Sequence, residues 1–582
     1  MEIKQVAEVL IPACLSVPVL NALVPNVDNY TVLLMQPQGR IEASVTGVRN
    51  RDRDLAQRQF GQFLTDAQQT KADLVITPEY SMPWDTLVAA IKEGKVPEEG
   101  KIWALGCESI RVSDLDELKQ RLSSIVSIIY EPLDSKSSRF VSPLAYVFIT
   151  QLANGSGVRT TVLVQFKTYP MGDSDHFEVS GMQRGTCIYQ FGDTSQSLKL
   201  VSLICSDAFA FEDSHAKSVY NRALILHIQL NPNPQHERFH GVRIRLLEYS
   251  GDETEVLCLN WAGDVHECCG EERKSWKNIA GSAWYVKSKE FDKSDVTLSS
   301  NHQRGLYYTW LESLRTHALF FNFEPATYLL EATKVAHLAV PGAVSRRRGP
   351  QLKRICTWND TDGTWIEQVA AEDGFSAVVG ECGHAKDEIK RIADRNPLEA
   401  ERILALCAGK IANTGEWHIV NQLDSCIIDA TEIIRRLTFC QDTNERAHDF
   451  RIARLKRCGR LWDILKTDDQ LQPALEDFKG GFYFEWSPSF PHQNAISTSG
   501  KRATVIYMGE ETSTGQVEAV AKRVADHLHT SFTNPDESHN ARQRLAVWYR
   551  CDDSAIKLYK SDRFIKYDNP GDVSEFDIGR EE

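Results

Sequence analysis

The sequence predicts an α/β protein. Its first part, roughly 300 residues, reads as one domain of layered sheets, followed by a mostly helical region and a small C-terminal α/β unit. Three observations lead there. Apolar runs of strand length recur through the first part, several of them separated by stretches of helical periodicity. The composition shifts at Val344-Ser345-Arg346-Arg347-Arg348-Gly349-Pro350, which reads as a linker or, alternatively, a basic patch. Beyond it, Lys386 to Lys479 takes on helical spacing, and strand-like runs return only after Tyr483.

Taken in order, Thr31 to Met35 is the first strand, and Asp52 to Gln69 a helix with Leu55, Phe60, Phe63, Leu64 and Ala67 on its apolar face. Leu74-Val75-Ile76 is a strand buried on both sides. Further strands fit Ile102 to Leu105, Ser124 to Tyr130, Ala145 to Thr150, Thr161 to Phe166 and Leu200 to Ile204. Beyond them lie Ala223 to Ile228, a helix at Phe239 to Ser250, and strands at Val256 to Asn260 and Ser282 to Val286. Later helices fit Pro397 to Cys407, Ile419 to Leu437 and Thr443 to Leu465. The last unit has a strand at Ala503 to Met508, a helix at Gly515 to His529 and a strand at Leu545 to Arg550. The expected boundaries are an N-terminal helical extension over 1–29, the layered domain over 30–344, linker and helical region over 345–480, and the small unit over 481–582.

The net charge of -14 argues against nonspecific nucleic-acid binding over the whole surface. The 14 cysteines are scattered, with no CxxC pair. A chain this long can bury a core without disulfides, so they read as reduced thiols in an intracellular, cytoplasmic protein. Cys268-Cys269 and Cys382 with His384 each resemble half of a metal site, but no second half follows at ligand spacing, and no metal is expected. The segment Val6 to Leu23 contains Glu8 and is preceded by Lys4 alone as a basic residue, so it reads as a packed helix and not as a signal peptide. No apolar run approaches the ~18 residues of a membrane span.

Three segments carry the chemistry. In Ala72-Asp73-Leu74-Val75-Ile76-Thr77-Pro78-Glu79-Tyr80 an apolar strand ends in a carboxylate. In Leu163-Val164-Gln165-Phe166-Lys167 a strand ends in an amine, and in Leu200-Val201-Ser202-Leu203-Ile204-Cys205-Ser206-Asp207 a strand delivers a thiol. Ligand clefts of open α/β sheets lie at the C-terminal ends of their strands. Singly, these are ordinarily a solvated Glu, a surface Lys and a buried, inert Cys. Together they supply a base, a cation and a nucleophile, the components of thiol catalysis.

The three segments, in this order, resemble the nitrilase, or carbon–nitrogen hydrolase, superfamily over roughly Tyr30 to Ala332. The likeness extends to the Gly106 turn, to Leu226 to Pro232, to Leu257-Cys258-Leu259-Asn260 and to Gly281-Ser282-Ala283. The separation of Glu79 and Lys167 is long for that family, which places an insertion between Pro83 and Leu144. Ala208 stands where the family commonly has arginine, and Ser206 where it has an aromatic residue, marking a subfamily distant from the simple aliphatic amidases. The resemblance implies a four-layer αββα sandwich, a tendency to pair into homo-oligomers, a Glu79–Lys167–Cys205 triad and, with Glu178, a second glutamate. It implies no cofactor.

It further implies a small amide, nitrile or ureido substrate. Cys205 would form an acyl-enzyme, Glu79 would move protons as general base and acid, and Lys167 would stabilise the oxyanion. The bland alternative is a structural Glu79–Lys167 ion pair. His215, His227, His236 and His240 near the third segment read as hydrogen-bonded core or surface histidines.

Arg451, Arg454, Lys456, Arg457 and Arg460 line one side of a helix whose other side holds Leu455, Cys458, Trp462 and Leu465. That face reads as solvated, with an acidic protein or a nucleic acid as the alternative partner. Gly509 to Gly515 sits like a phosphate loop but lacks its Gly-Lys-Ser/Thr ending, and Ser513 with Gln516 reads as a capping box. The size of the C-terminal half supports an alternative: a nitrilase-like regulatory or effector module, in the manner of bacterial phage-defence fusions, whose second half binds a partner.

Overall fold

The computed structural model describes the chain except residues 25–28, 156, 173–176, 193–197, 220–221, 232–236, 250–253, 263–264, 270–271, 276–281, 289–290, 292–294, 303, 312–313, 323, 335–348, 369–373, 410–418, 421–444, 468–470, 511, 552–554 and 560–582. The Arg346-Arg347-Arg348 linker, most of the expected Ile419–Leu437 helix, Gly281 and His236 lie outside the described residues. The chain divides into two compact units, Met1–Ala371 with Val420–Ile433, and Glu372–Ile419 with Ile434–Glu582.

The first unit is mixed α/β. One nine-stranded sheet runs, edge to edge, through Thr364–Glu367, Gln351–Asn359, Ala326–Thr333, Asn29–Gln36, Leu74–Met82, Ile102–Cys107, Pro143–Gln151, Val158–Phe166 and Val126–Tyr130. All nine residues of Leu74–Met82 are buried, as expected for a central strand paired in parallel on both sides. Alternate residues of these strands face opposite ways. Leu33, Val75, Trp103, Val147 and Val164 pack against Phe60, Phe63 and Leu64 of helix Arg53–Thr70 and Leu87 of helix Trp84–Lys92.

The opposite face meets a second sheet, which runs through Glu2–Gln5, Cys187–Phe191, Lys199–Ile204, Ala223–Ile228, Thr254–Leu259, Ala283–Lys287, Thr316–Phe321 and Leu306–Leu311. Polar contacts bridge the sheets where apolar packing alone would leave register free. The Gln165 amide donates to Ser202 O at 2.9 Å, and the Tyr30 hydroxyl to Glu255 at 3.0 Å. Lys199–Ile204, Ala223–Ile228 and Thr254–Leu259 are parallel, so their C-terminal ends share one edge.

Two features differ from the sequence reading. The sequence reading sets residues 1–29 apart as a helical extension, yet Glu2–Gln5 is a strand paired in parallel with Cys187–Phe191, and among the described residues of this stretch only Val6–Leu10 is α-helical. Gln351–Asn359 and Thr364–Glu367, assigned to the linker and helical region, extend the first sheet beyond Ala326–Thr333. Glu2–Gln5 and Thr364–Glu367 are edge strands with exposed positions, so their apolar runs are too short to stand out in sequence.

In the second unit, helices Lys386–Arg395, Pro397–Cys407 and Glu445–Thr467 pack with a five-stranded sheet. Its strands Arg502–Tyr507 and Leu545–Tyr549 are parallel and joined through helices Thr514–Ser531 and Pro535–Gln543. Ser513 and Gln516 form the expected capping box. Leu455, Cys458, Trp462 and Leu465 are buried as the periodicity required. The basic face is not wholly solvated, because Arg454 is buried 3.6 Å from Glu401, while Lys456 and Arg460 remain exposed.

Candidate active site

The turn after Lys199–Ile204 presents Cys205 in the left-handed region, at φ 44°, a conformation that costs a side-chain-bearing residue about 1–2 kcal/mol. The surroundings hold it there. Cys205 N donates to Ile228 O at 2.8 Å, and the buried Asp207 carboxylate accepts from Thr168 N, Thr168 Oγ1 and Tyr169 N at 2.7–2.9 Å and from Ile204 N at 3.3 Å. The Asp207 bonds tie the cysteine turn to the chain immediately after Lys167.

Glu79 lies where the strand Leu74–Met82 breaks its regular pairing. Thr77 is the last residue in register with Ile102–Cys107 until Met82, and Tyr80 between them has φ 57°. This interruption frees Glu79 from the pleat. Gly106 makes room for it, since a Cβ there would come within 2.1 Å of Pro78 O and 2.9 Å of Glu79 Cα. Lys167 closes the strand Val158–Phe166, its N–H bonded to Ser142 O.

These strand ends bring the groups together. Lys167 Nζ donates to Glu79 Oε1 at 2.9 Å and to Glu178 Oε1 at 2.7 Å, with all three side chains nearly inaccessible. Ser142 Oγ and Leu230 N also donate to Glu79, and Trp261 Nε1 donates to its carbonyl. Glu178, on the short helix Phe177–Gly181, accepts further from Tyr80 and from Met171 N. The Cys205 thiol lies within electrostatic reach of the Glu79 carboxylate, of Lys167 and of Glu178.

The electrostatics separate the two glutamates. Burial pushes Glu79 up to about 7; Lys167 opposes the shift and Glu178 adds to it. For Glu178 burial acts upward too, but the Lys167 charge and the bonds from Lys167, Met171 and Tyr80 outweigh it, holding that carboxyl below its ordinary value. Burial works against the Lys167 charge, yet Glu178 and Glu79 together hold the amine well above its ordinary value. Burial, reinforced by Glu79, raises Cys205 well above the ordinary thiol range despite Lys167. The resting group is therefore a neutral thiol beside a carboxylate that exchanges protons near neutrality.

All four residues singled out from sequence, Glu79, Lys167, Cys205 and Glu178, meet in this one place. Sequence reasoning missed Tyr80, Ser142, Asp207 and Trp261. Tyr80 and Asp207 sit inside the quoted segments, whereas Ser142 and Trp261 arrive from strand ends with no distinguishing pattern. His227, read from the sequence as a hydrogen-bonded core or surface histidine, is buried and hydrogen-bonded against the cysteine turn. Among the described residues no group of three or more His, Cys, Asp or Glu could hold a metal ion, and no helix is long and apolar enough to cross a membrane.

No family model and no curated protein matches the chain. Among solved structures, it is similar to a glutamine-dependent NAD+ synthetase from Acinetobacter baumannii, at TM-score 0.30 and 13% identity, over 55% of this chain and 49% of the synthetase. The chain thus spans about half the length of that protein. An amidase from Nesterenkonia sp. is similar at TM-score 0.26 and 13% identity, over 41% of this chain and 78% of the amidase. A CN-hydrolase superfamily protein from Xanthomonas campestris with an arsenic adduct in its active site gives TM-score 0.27 and 12% identity, over 45% and 83%.

Proposed function

We propose that the first unit is a thiol-dependent hydrolase, or acyl transferase, of the nitrilase type, built as a four-layer αββα sandwich and acting on a non-peptide carbon–nitrogen bond of a small amide, nitrile or ureido compound. The observation that carries this reading is the convergence of a neutral thiol, a carboxylate poised near neutrality and a buried ammonium. A merely structural ion pair needs no strained cysteine beside it.

For an amide, Cys205 Sγ attacks the carbonyl carbon while its proton passes to Glu79, because a thiol raised by burial cannot ionise in advance. The carbonyl π pair moves to oxygen, where the Lys167 ammonium and the Ser206 N–H stabilise it. Collapse of the tetrahedral adduct breaks the carbon–nitrogen bond, and Glu79 returns the proton to the leaving amine. A water then attacks the thioester, giving its proton to Glu79. The acid leaves, and the proton returns to Cys205. Glu178 keeps Lys167 charged and oriented throughout.

The test is amine or ammonia release from a panel of amides, ureido compounds and nitriles, with intact-mass detection of an acyl adduct on the protein. Turnover with an adduct mapping to Cys205 is expected. Full turnover by Cys205→Ala would overturn the reading.

A further inference from the structure

His227 lies on the strand Ala223–Ile228, beside Leu203 in the parallel register, and is almost wholly inaccessible. Its Nε2 is 2.9 Å from the carbonyl oxygen of Cys205. A carbonyl only accepts, so Nε2 must carry the proton. Nδ1 is 2.9 Å from the Gln229 amide nitrogen, whose Oε1 in turn accepts from Asn231 Nδ2 at 3.1 Å. Asn231 is clamped by Asn260, through Asn231 N to Asn260 Oδ1 at 3.0 Å and Asn260 Nδ2 to Asn231 O at 2.9 Å. Donors therefore point one way along Asn231, Gln229 and His227, ending on Cys205 O.

A Gln229 donor requires a bare Nδ1, which fixes the neutral imidazole with its proton on Nε2. Burial, with the Arg243 and Lys167 charges adding to it, takes His227 down to about 4 against the pull of Cys205 O, so the ring stays neutral at working pH. The same peptide unit has a second end. Ser206 N–H, directly after the nucleophile, is fully buried and donates to no acceptor among the described residues. A hydrogen bond accepted at a peptide's C=O polarises its N–H and fixes the peptide plane.

We propose that His227 is a positioning residue: by donating to Cys205 O in the tautomer that Gln229 imposes, it aims and polarises the Ser206 N–H as an oxyanion donor. This rests on Cys205 being the nucleophile. The role is separate from proton transfer, since His227 meets the cysteine turn at a carbonyl and not at the thiol. The residue acts only when charge develops on the substrate oxygen, so it bears on kcat and not on substrate capture.

The experiment compares His227→Leu, His227→Gln and Gln229→Leu with the unaltered chain. It uses the best amide of the panel and its aldehyde analogue, whose carbonyl accepts the Cys205 thiol reversibly to give a tetrahedral hemithioacetal. In His227→Leu, kcat should fall about 10- to 100-fold, less than the 10²–10³ of losing an oxyanion donor outright, with KM unchanged within about twofold. Aldehyde affinity should fall in parallel with kcat. Glutamine at 227 can place an amide N–H near Nε2 and should restore kcat to within about threefold. Gln229→Leu should show a smaller loss of the same kind, and it carries the test if His227→Leu does not fold. An unchanged kcat or aldehyde affinity in His227→Leu, or in Gln229→Leu where it stands in, overturns the inference and leaves the reading of Cys205 intact. No aldehyde adduct at Cys205 in the unaltered chain would instead remove that reading, and this inference with it.

Discussion

The chain buries two thiols in settings that look alike by burial and differ in everything else. Cys205 and Cys458 are both almost inaccessible, and both are pushed well above the ordinary thiol range. At Cys458 the causes are hydrogen bonds with Cys382 and Cys407, then burial. Its backbone is an ordinary helix within Glu445–Thr467, and the following Gly459 lets that helix close on Cys382, where a Cβ would come within 2.3 Å of the carbonyl oxygen. At Cys205 the raised value is contested by an ammonium and reinforced by a carboxylate, on a backbone at φ 44°. A displaced pKa does not identify a nucleophile. What sets Cys205 apart from Cys458 is a charged partner able to take the proton and a strained turn that presents the atom.

The largest break in this comparison comes from Cys205→Ala, which should abolish amide cleavage while the unit stays folded. Retained turnover would return Cys205 to the same class as Cys458. Next, Lys167→Ala should lower kcat by about 10²–10³, the scale of a lost oxyanion stabiliser, and it also leaves two buried carboxylates facing each other. A thermal scan beside the kinetics separates the two consequences. The pH profile sharpens the role of Glu79. As a base it must be ionised, and burial pushes it up to about 7. So kcat/KM should climb about tenfold per pH unit below that point and level off above it. A profile flat from about pH 5 to 9 would contradict the assignment. Glu178→Gln should cost about tenfold, by loosening Lys167 while keeping an oxygen near it. The smallest effect belongs to Cys458→Ala: no change in kcat, and a stability loss of about 1–2 kcal/mol for a small core truncation, read by denaturant unfolding.

The site was more legible than the fold's edges, for a physical reason. Leu74 to Thr77, Leu163 to Phe166 and Leu200 to Ile204 are buried strand segments, so each reads as a mostly apolar run, broken only by Thr77, Gln165 or Ser202. Each run ends beside the candidate group, Glu79, Lys167 or Cys205. Glu2–Gln5 and Gln351–Asn359 are edge or near-edge strands with mixed exposure, so no continuous apolar run marks them. The pairing break from Thr77 to Met82 was invisible too, because the apolar-to-carboxylate pattern is the same whether or not the strand continues. His227 was discounted because a lone histidine in an apolar run ordinarily belongs to the core. Its position does conform to that rule, and only the oxygen it faces distinguishes it.

The φ of 44° at Cys205 has a corollary for how such a chain tolerates change. Glycine is the residue most at ease in that conformation, so Cys205→Gly should yield an inert protein sturdier than Cys205→Ala by about 1 kcal/mol. Two inert variants at this position therefore differ in durability, because alanine keeps the strained conformation that glycine adopts freely.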